Sequence, residues 1–126
     1  MQASARDKIK PISELSEIAE KIRSSGKKIA HAHGTFDLLH MGHVRHLEQA
    51  RREGDVLIVT VTADEHVHKG PGRPVFTDQL RAEMLAALEY VSWVGVNHEA
   101  SAEQVIHAIK PDAYIKGSDY VDAEQD

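Results

Sequence analysis

The sequence predicts an α/β fold with a doubly wound parallel sheet, built as three layers, α/β/α. Three observations predict it. Helical and strand-like hydrophobic patterns alternate along the chain as α-β-α-β-α-β-α-β, the order that builds a parallel sheet through crossover helices. The run Asp55-Val56-Leu57-Ile58-Val59-Thr60-Val61-Thr62 is almost continuously apolar and β-branched, as a strand covered on both faces must be. The connecting segments are short, as they are between the strands and helices of compact α/β units.

Taken in order, residues 1–10 are polar and are expected to fray. Pro11 and Ser13 mark a helix start with Ser13 as N-cap, and Leu15, Ile18, Ala19 and Ile22 keep helical spacing until Ser24-Ser25-Gly26 ends it. Lys28 to His33 reads as a short first strand, followed at once by a glycine-containing loop over 34–42. Val44, Leu47 and Ala50 make an amphipathic helix that stops at Gly54. After the strand at 55–62, residues 63–68 read as a short helix and 70–74 as a loop. Thr77 caps a helix over 78–89 with Leu80, Met84, Leu85 and Leu88 facing inward. Val91 to Val96 is a third strand, and Ser101 to Ile109 a helix with a capping serine. Ala113 to Lys116 is a fourth strand, and Gly117-Ser118-Asp119 turns out of it.

A length of 126 residues suits one domain, here residues 28–126, preceded by an N-terminal helix and polar leader over 1–27. At 41% hydrophobic and 28% charged the composition is that of an ordinary globular chain. The net charge of -5 argues against non-specific nucleic-acid binding, which needs a basic face. With no cysteine, neither a disulfide nor a thiolate metal site can form. No apolar run approaches the ~20 residues that span a bilayer, and residues 1–12 lack the apolar stretch of a signal peptide. The expectation is a cytoplasmic protein with no membrane partner.

Nine histidines are many for this length, and they cluster: His31, His33, His40, His43 and His46, then His66 and His68. Ligands of doubly wound folds sit beyond the carboxyl ends of the strands, where the strand order reverses. The carboxyl end of the first strand is the His33–His43 segment. Gly34 lets the backbone turn sharply and a phosphate approach. The amides of residues 42–45 lie at a helix N-terminus, where unpaired N–H groups and the helix dipole favour an anion. His40 and His43, three apart across that start, can both face one phosphate, and Gly42 between them keeps the approach clear. In nucleotidyl transfer an incoming phosphate oxygen attacks the α-phosphorus and pyrophosphate leaves, so positioning and charge stabilisation carry the rate. Paired imidazole donors and a nearby lysine suit that task. A zinc site made by His40 and His43 with His31 or His33 is the metal alternative; the phosphate reading accounts for the string better, and no metal site is expected.

The ten residues Gly34-Thr35-Phe36-Asp37-Leu38-Leu39-His40-Met41-Gly42-His43 resemble the signature of the cytidylyltransferase-like nucleotidyltransferases, the superfamily with the H-x-G-H motif. The Gly-Thr-Phe-Asp block looks like the glycerol-3-phosphate cytidylyltransferase and archaeal FAD synthetase branches. Gly54–Val59, Asp64-Glu65, Lys69-Gly70 with Arg73-Pro74, Arg81, the Val91–Val94 strand with its Trp93, Lys110-Pro111-Asp112 and Lys116-Gly117-Ser118-Asp119-Tyr120 resemble the adenylyltransferase domain of the bifunctional enzymes that make ADP-heptose.

The resemblance implies a Rossmann-like nucleotidyltransferase that moves AMP (or CMP) from ATP (or CTP), carried with Mg²⁺, to a small phosphate ester. A sugar 1-phosphate is favoured, with glycerol 3-phosphate or FMN as the alternative acceptors. It further implies that Gly34, Thr35, Phe36, Met41 and Gly42 meet the nucleotide, and that His40 and His43 bind the triphosphate and stabilise the transition state. Lys69 would approach the phosphates as a catalytic and substrate-binding residue, with Arg73 beside it, while Gly117, Ser118 and Asp119 would contact base or ribose. Asp37 is expected to hold the loop through backbone amides. Arg81 is expected at the surface or in a salt bridge, Trp93 in the core, and His66 and His68 toward solvent. His31 and His33 share one strand face, so that one of them can reach the site. His43 is expected at an exposed helix start, so that its removal would abolish turnover and spare the fold. The superfamily continues past the Lys-Gly-x-Asp turn into a serine- and threonine-rich motif that this sequence does not reach. The expectation is therefore a domain truncated at its carboxyl end, with a fused sugar-kinase domain in the full-length protein and a homodimer as its assembly. The competing expectation is a nucleotide-binding module without turnover.

Overall fold

The computed structural model describes residues 4–68 and 70–116. Among them the helices and strands follow the predicted alternation: α1 (Ile12–Ser24), β1 (Ile29–Gly34), α2 (Met41–Arg51), β2 (Val56–Thr62), α3 (Asp78–Ala86), β3 (Trp93–Asn97), α4 (Glu103–Ile109) and β4 (Ala113–Lys116). The four strands form one sheet in the order β3-β2-β1-β4, and each pairing is parallel. The chain moves outward from β1 through β2 to β3 and then crosses back to lay β4 on the other side of β1. The reversal therefore falls between β1 and β4, as the sequence implied for the carboxyl end of the first strand.

Alternation along the strands divides the core. Ala30, Ala32, Leu57, Val59 and Val61 face α2 and α3, where Leu47, Ala50, Ala82 and Leu85 cover them. Ile29 and Ile58 face α1 and α4, under Leu15, Ala19, Val105 and Ile109. Trp93 packs against this second cluster. Each fully buried aliphatic side chain contributes about 1.5–3 kcal/mol, so α1 is bound into the core by Leu15 and Ala19. Gly95 permits this closeness, since a Cβ there would stand 2.5 Å from Leu15 Cδ1.

Several boundaries differ from the sequence reading. Residues 4–10 are ordered by contacts rather than frayed. Ser4 caps a 3-10 turn over Ala5–Lys8, Lys8 Nζ donates to the carbonyls of Leu88 and Val91 at 3.2 and 2.8 Å, and Ile9 bridges to Val94 on the outer edge of β3. The N-cap of α1 is Pro11, not Ser13, and it offers no side-chain bond. Ser101 does accept from the Glu103 amide at 3.3 Å, although the cap position of α4 is Ala102. Thr77 caps α3 as expected, but the helix stops at Ala86, and Leu80 is 48% exposed. The buried stripe is Arg81, Ala82, Leu85 and Ala86. Among the described residues no helix is long and apolar enough to cross a membrane.

Candidate active site

The site is assembled where β1 hands over to α2. Gly34 ends the strand opposite Val61. Thr35, Phe36 and Asp37 then run buried beneath the loop. Phe36 has a left-handed backbone, φ 52°, which an aromatic residue adopts only when its surroundings impose it. Its ring is 1% exposed and meets the His43 ring edge-on at 5.6 Å.

Two histidines make the helix start. His40 is the N-cap of α2, and its Nδ1 accepts the Gly42 amide at 3.0 Å. His43, three residues on, turns back so that its Nδ1 accepts the His40 amide at 3.3 Å. This is a capping box made from two imidazoles, whose ring centres lie 4.0 Å apart. The geometry also fixes the protons. A ring nitrogen that accepts carries none, so in neutral rings both Nε2 atoms bear hydrogen and both are donors. His40 is exposed, whereas His43 is 6% exposed. The expectation of an exposed His43 that packs no core is therefore corrected: its ring is part of the Phe36 packing. Met41, 59% exposed, stands at the first turn.

A second device holds the loop from below. Asp37 Oδ1 accepts from the Val75 and Phe76 amides at 2.8 and 3.1 Å, and Oδ2 accepts from Arg73 Nη1 at 2.8 Å. Burial by itself would raise the Asp37 carboxyl; the Val75 amide, the Arg73 guanidinium and the Phe76 amide outweigh it and hold the pKa below the usual 3.8. Asp37 thus plays the loop-holding part expected of it, and Arg73 is paired with it.

Arg81 is the residue that sequence reasoning missed. It is 0% exposed, not at the surface. Its guanidinium donates from Nη1 to the Thr35 carbonyl at 2.8 Å, from Nη2 to Asp64 Oδ1 at 2.8 Å and from Nε to the Phe76 carbonyl at 3.0 Å. One planar fork therefore ties together the loops after β1 and β2 and the segment before α3. The salt-bridging half of the expectation holds, through Asp64. The small residues Ala82 and Ala86 beside it were the signal, since they leave room for a guanidinium on the inward stripe.

Beyond the strand ends lies a cavity of about 380 Å³ lined by His33, Thr35, Thr62, His66, His68 and Lys116, among others, with no carboxylate among its described lining residues. A larger cavity of about 680 Å³ lies elsewhere, between residues 6–13 and the end of β3, and holds none of the predicted site residues. Chemistry rather than size therefore marks the site. His68 is exposed as expected, while His66 is half-buried with Nε2 3.0 Å from the His98 carbonyl. Among the described residues no group of three or more His, Asp or Glu is placed to hold a metal ion. Lys69, Gly117, Ser118 and Asp119 lie outside the described residues.

Comparison with known proteins agrees with this geometry. The bifunctional protein HldE of Desulfatibacillum aliphaticivorans is 44% identical over 115 residues, covering 90% of this chain and 24% of that protein. HldE of Aliarcobacter butzleri is 41% identical over 121 residues, covering 94% and 25%, and HldE of Azotobacter vinelandii is 47% identical over 103 residues, covering 80% and 22%. The chain spans about a quarter of the length of these curated relatives. Among solved structures, the lipopolysaccharide core biosynthesis protein from Thermoplasma volcanium GSS1 superposes with a TM-score of 0.66 at 29% identity, covering 71% of this chain and 73% of that one. The family model described as cytidylyltransferase-like matches residues 31–126. With the paired histidines, the parallel sheet and this match in agreement, the chain belongs to the cytidylyltransferase-like family.

Proposed function

We propose that this domain transfers a nucleotidyl group from a nucleoside triphosphate to a small phosphate ester. The observation that carries the reading is the reciprocal cap of His40 and His43, which aims two Nε2–H donors from the start of α2. An oxygen of the acceptor phosphate attacks the α-phosphorus, the bond to the bridging oxygen of the β-phosphate breaks, and pyrophosphate leaves with that electron pair. Charge grows on the non-bridging and leaving oxygens, where fixed N–H donors act. Removing one such donor typically costs about 10²–10³ in turnover. The helix amides and dipole add to the same field. Mg²⁺ enters as part of the substrate, liganded by the phosphates.

In this reading Gly34, Thr35, Phe36, Met41 and Gly42 border the nucleotide, Lys69 and Arg73 serve the incoming phosphates, and Gly117, Ser118 and Asp119 meet base or ribose. The resemblance of the 64–74 and 116–120 segments to the ADP-heptose enzymes supports ATP and a sugar 1-phosphate, and the bifunctional nature of the HldE relatives supports a second, kinase domain in the full-length protein. Homodimerisation and a cytoplasmic location complete the proposal.

The test is pyrophosphate release with ATP or CTP against a panel of sugar 1-phosphates, glycerol 3-phosphate and FMN. The proposal expects ATP with a sugar 1-phosphate to give the highest kcat/KM. Tight nucleotide binding with no turnover on any acceptor, also in a chain carried beyond Asp126, would instead mark a binding module.

A further inference from the structure

The exposed apolar side chains of this domain are not scattered. Among the described residues the large ones open to solvent are Leu38, Met41, Val75, Phe76, Leu80 and Tyr114. The first five share one stretch of surface. The Asp37 carboxylate accepts the Val75 and Phe76 amides at 2.8 and 3.1 Å, so Leu38, the next residue, lies beside that pair. Leu80 stands four residues past Phe76 in the first turn of α3, and Met41 opens α2 three residues past Leu38. Single exposed apolar residues are ordinary on a protein surface, whereas a contiguous group marks a contact.

Area, charge and number decide what fits the patch. The five residues are 36–59% exposed, which for residues of this size amounts to about 400–500 Å² of surface. A standard interface buries about 800 Å² per partner, about 57–65% of it apolar, so the patch is the apolar share of one such interface. The charges beside it are already engaged: Arg73 is paired with Asp37, and the Asp78 carboxylate holds the Asp64 amide. Exposed Arg45, one turn beyond Met41, is left for a solvated rim. Such a patch meets its own copy without setting like charges against each other at its centre. Among the described residues there is no second cluster of exposed large apolar side chains for it to meet, since Tyr114 stands apart on β4. A two-fold pairing needs none, because each patch is then the mate of the other.

We infer that this patch joins two copies of the chain about a two-fold axis, and that the pairing steadies the loop that carries His40. Leu38 and Met41 flank that residue in the chain. A partner seated on them, and on Val75 and Phe76, closes the Asp37 clip from outside, so that the amides of residues 37–42 open less often. The inference gives the homodimer its interface. Its effect on turnover rests on the nucleotidyl-transfer reading; the pairing and the steadied loop do not.

Sedimentation equilibrium of the 126-residue chain reads the assembly, and amide hydrogen exchange reads the loop. The unaltered chain should sediment as a dimer. Leu80→Glu and Val75→Glu should each sediment as a monomer with the far-ultraviolet spectrum of the parent, since both side chains are exposed, and Leu80→Met should stay dimeric. The His40 and Gly42 amides, which the two rings accept, should exchange about tenfold faster in the monomeric variants than in the dimer. In pyrophosphate release with a hexose 1-phosphate, the monomeric variants should lose about tenfold or more in kcat, the effect of a loosened catalytic group. A chain that is monomeric at every loading concentration marks the patch as the seat of a different protein and overturns the inference. Glutamate variants that remain dimeric, or equal exchange of the two amides in monomer and dimer, overturn it as well. A chain that pairs and protects both amides but turns over no acceptor upholds the pairing and sinks the transferase reading.

Discussion

His43 Nδ1 accepts the backbone N–H of His40 at 3.3 Å, so the side chain proposed for phosphate chemistry is also a structural cap. The two jobs use opposite nitrogens of one ring. Replacement by Ala should therefore lower stability as well as turnover. The expected loss is about 1 kcal/mol for the cap, with additional loss for the ring that packs on Phe36, alongside a fall of about 10²–10³ in kcat. Urea unfolding and pyrophosphate release on the same variant separate the two effects. Near-normal turnover in His43→Ala would remove this residue from the mechanism.

Arg81→Met should be among the most damaging single changes. It strips partners from the carbonyls of Thr35 and Phe76 and from Asp64. The two carbonyls left without this donor cost about 1–3 kcal/mol each, whereas Asp64, 41% exposed, regains water. Arg81→Lys should recover little, because one ammonium cannot reproduce a planar fork that reaches three segments. Denaturant midpoints of the two variants check both statements.

Stability should fall on mild acidification. The unfolded His31 takes up its proton near 6.5 and the folded one near about 3, because burial opposes the charge. Between those values the unfolded chain binds more protons, so stability drops as pH falls through the window, by up to about 1.4 kcal/mol per pH unit from this group. Asp37, held below 3.8 by the Val75 and Phe76 amides and Arg73 against the opposing effect of burial, contributes stability that is present above that value and lost beneath it. Urea midpoints at several pH values should flatten between 6.5 and about 4 in His31→Gln. An unchanged slope would show that this ring is protonated in the folded chain.

Gly54→Ala tests the floor beneath β1. An added Cβ would stand 2.8 Å from Ala30 N and 2.9 Å from Lys28 O, and these backbone atoms cannot rotate away. The expected loss is about 1–3 kcal/mol, read as a lower thermal midpoint.

The alternation of elements and the site string were legible because each rests on local signals: the period of apolar residues and a contiguous motif. Arg81 was not, because the chain allows two inward stripes on α3. Leu80, Met84, Leu85 and Leu88 fit a helix as well as Arg81, Ala82, Leu85 and Ala86 do. The Thr35 carbonyl and the Asp64 carboxylate, contributed by other segments, decide between them, and no pattern within α3 encodes those. Thr60 hid for a similar reason. Inside an apolar strand it reads as one more β-branched residue, and only the register with β1 makes it the link between two histidines. The docking of residues 4–10 likewise depends on carbonyls 80 or more positions away.

The Ile9–Val94 bridge, with Lys10 N donating to the Val94 carbonyl at 2.9 Å, has a practical consequence. An exposed strand flank is a template for polymerisation between chains, and this short segment shields the outer flank of β3. A tag joined ahead of residue 4 should leave the shield in place. A deletion that enters residues 9–10 would bare the flank and turn a well-behaved preparation into one that aggregates on concentration.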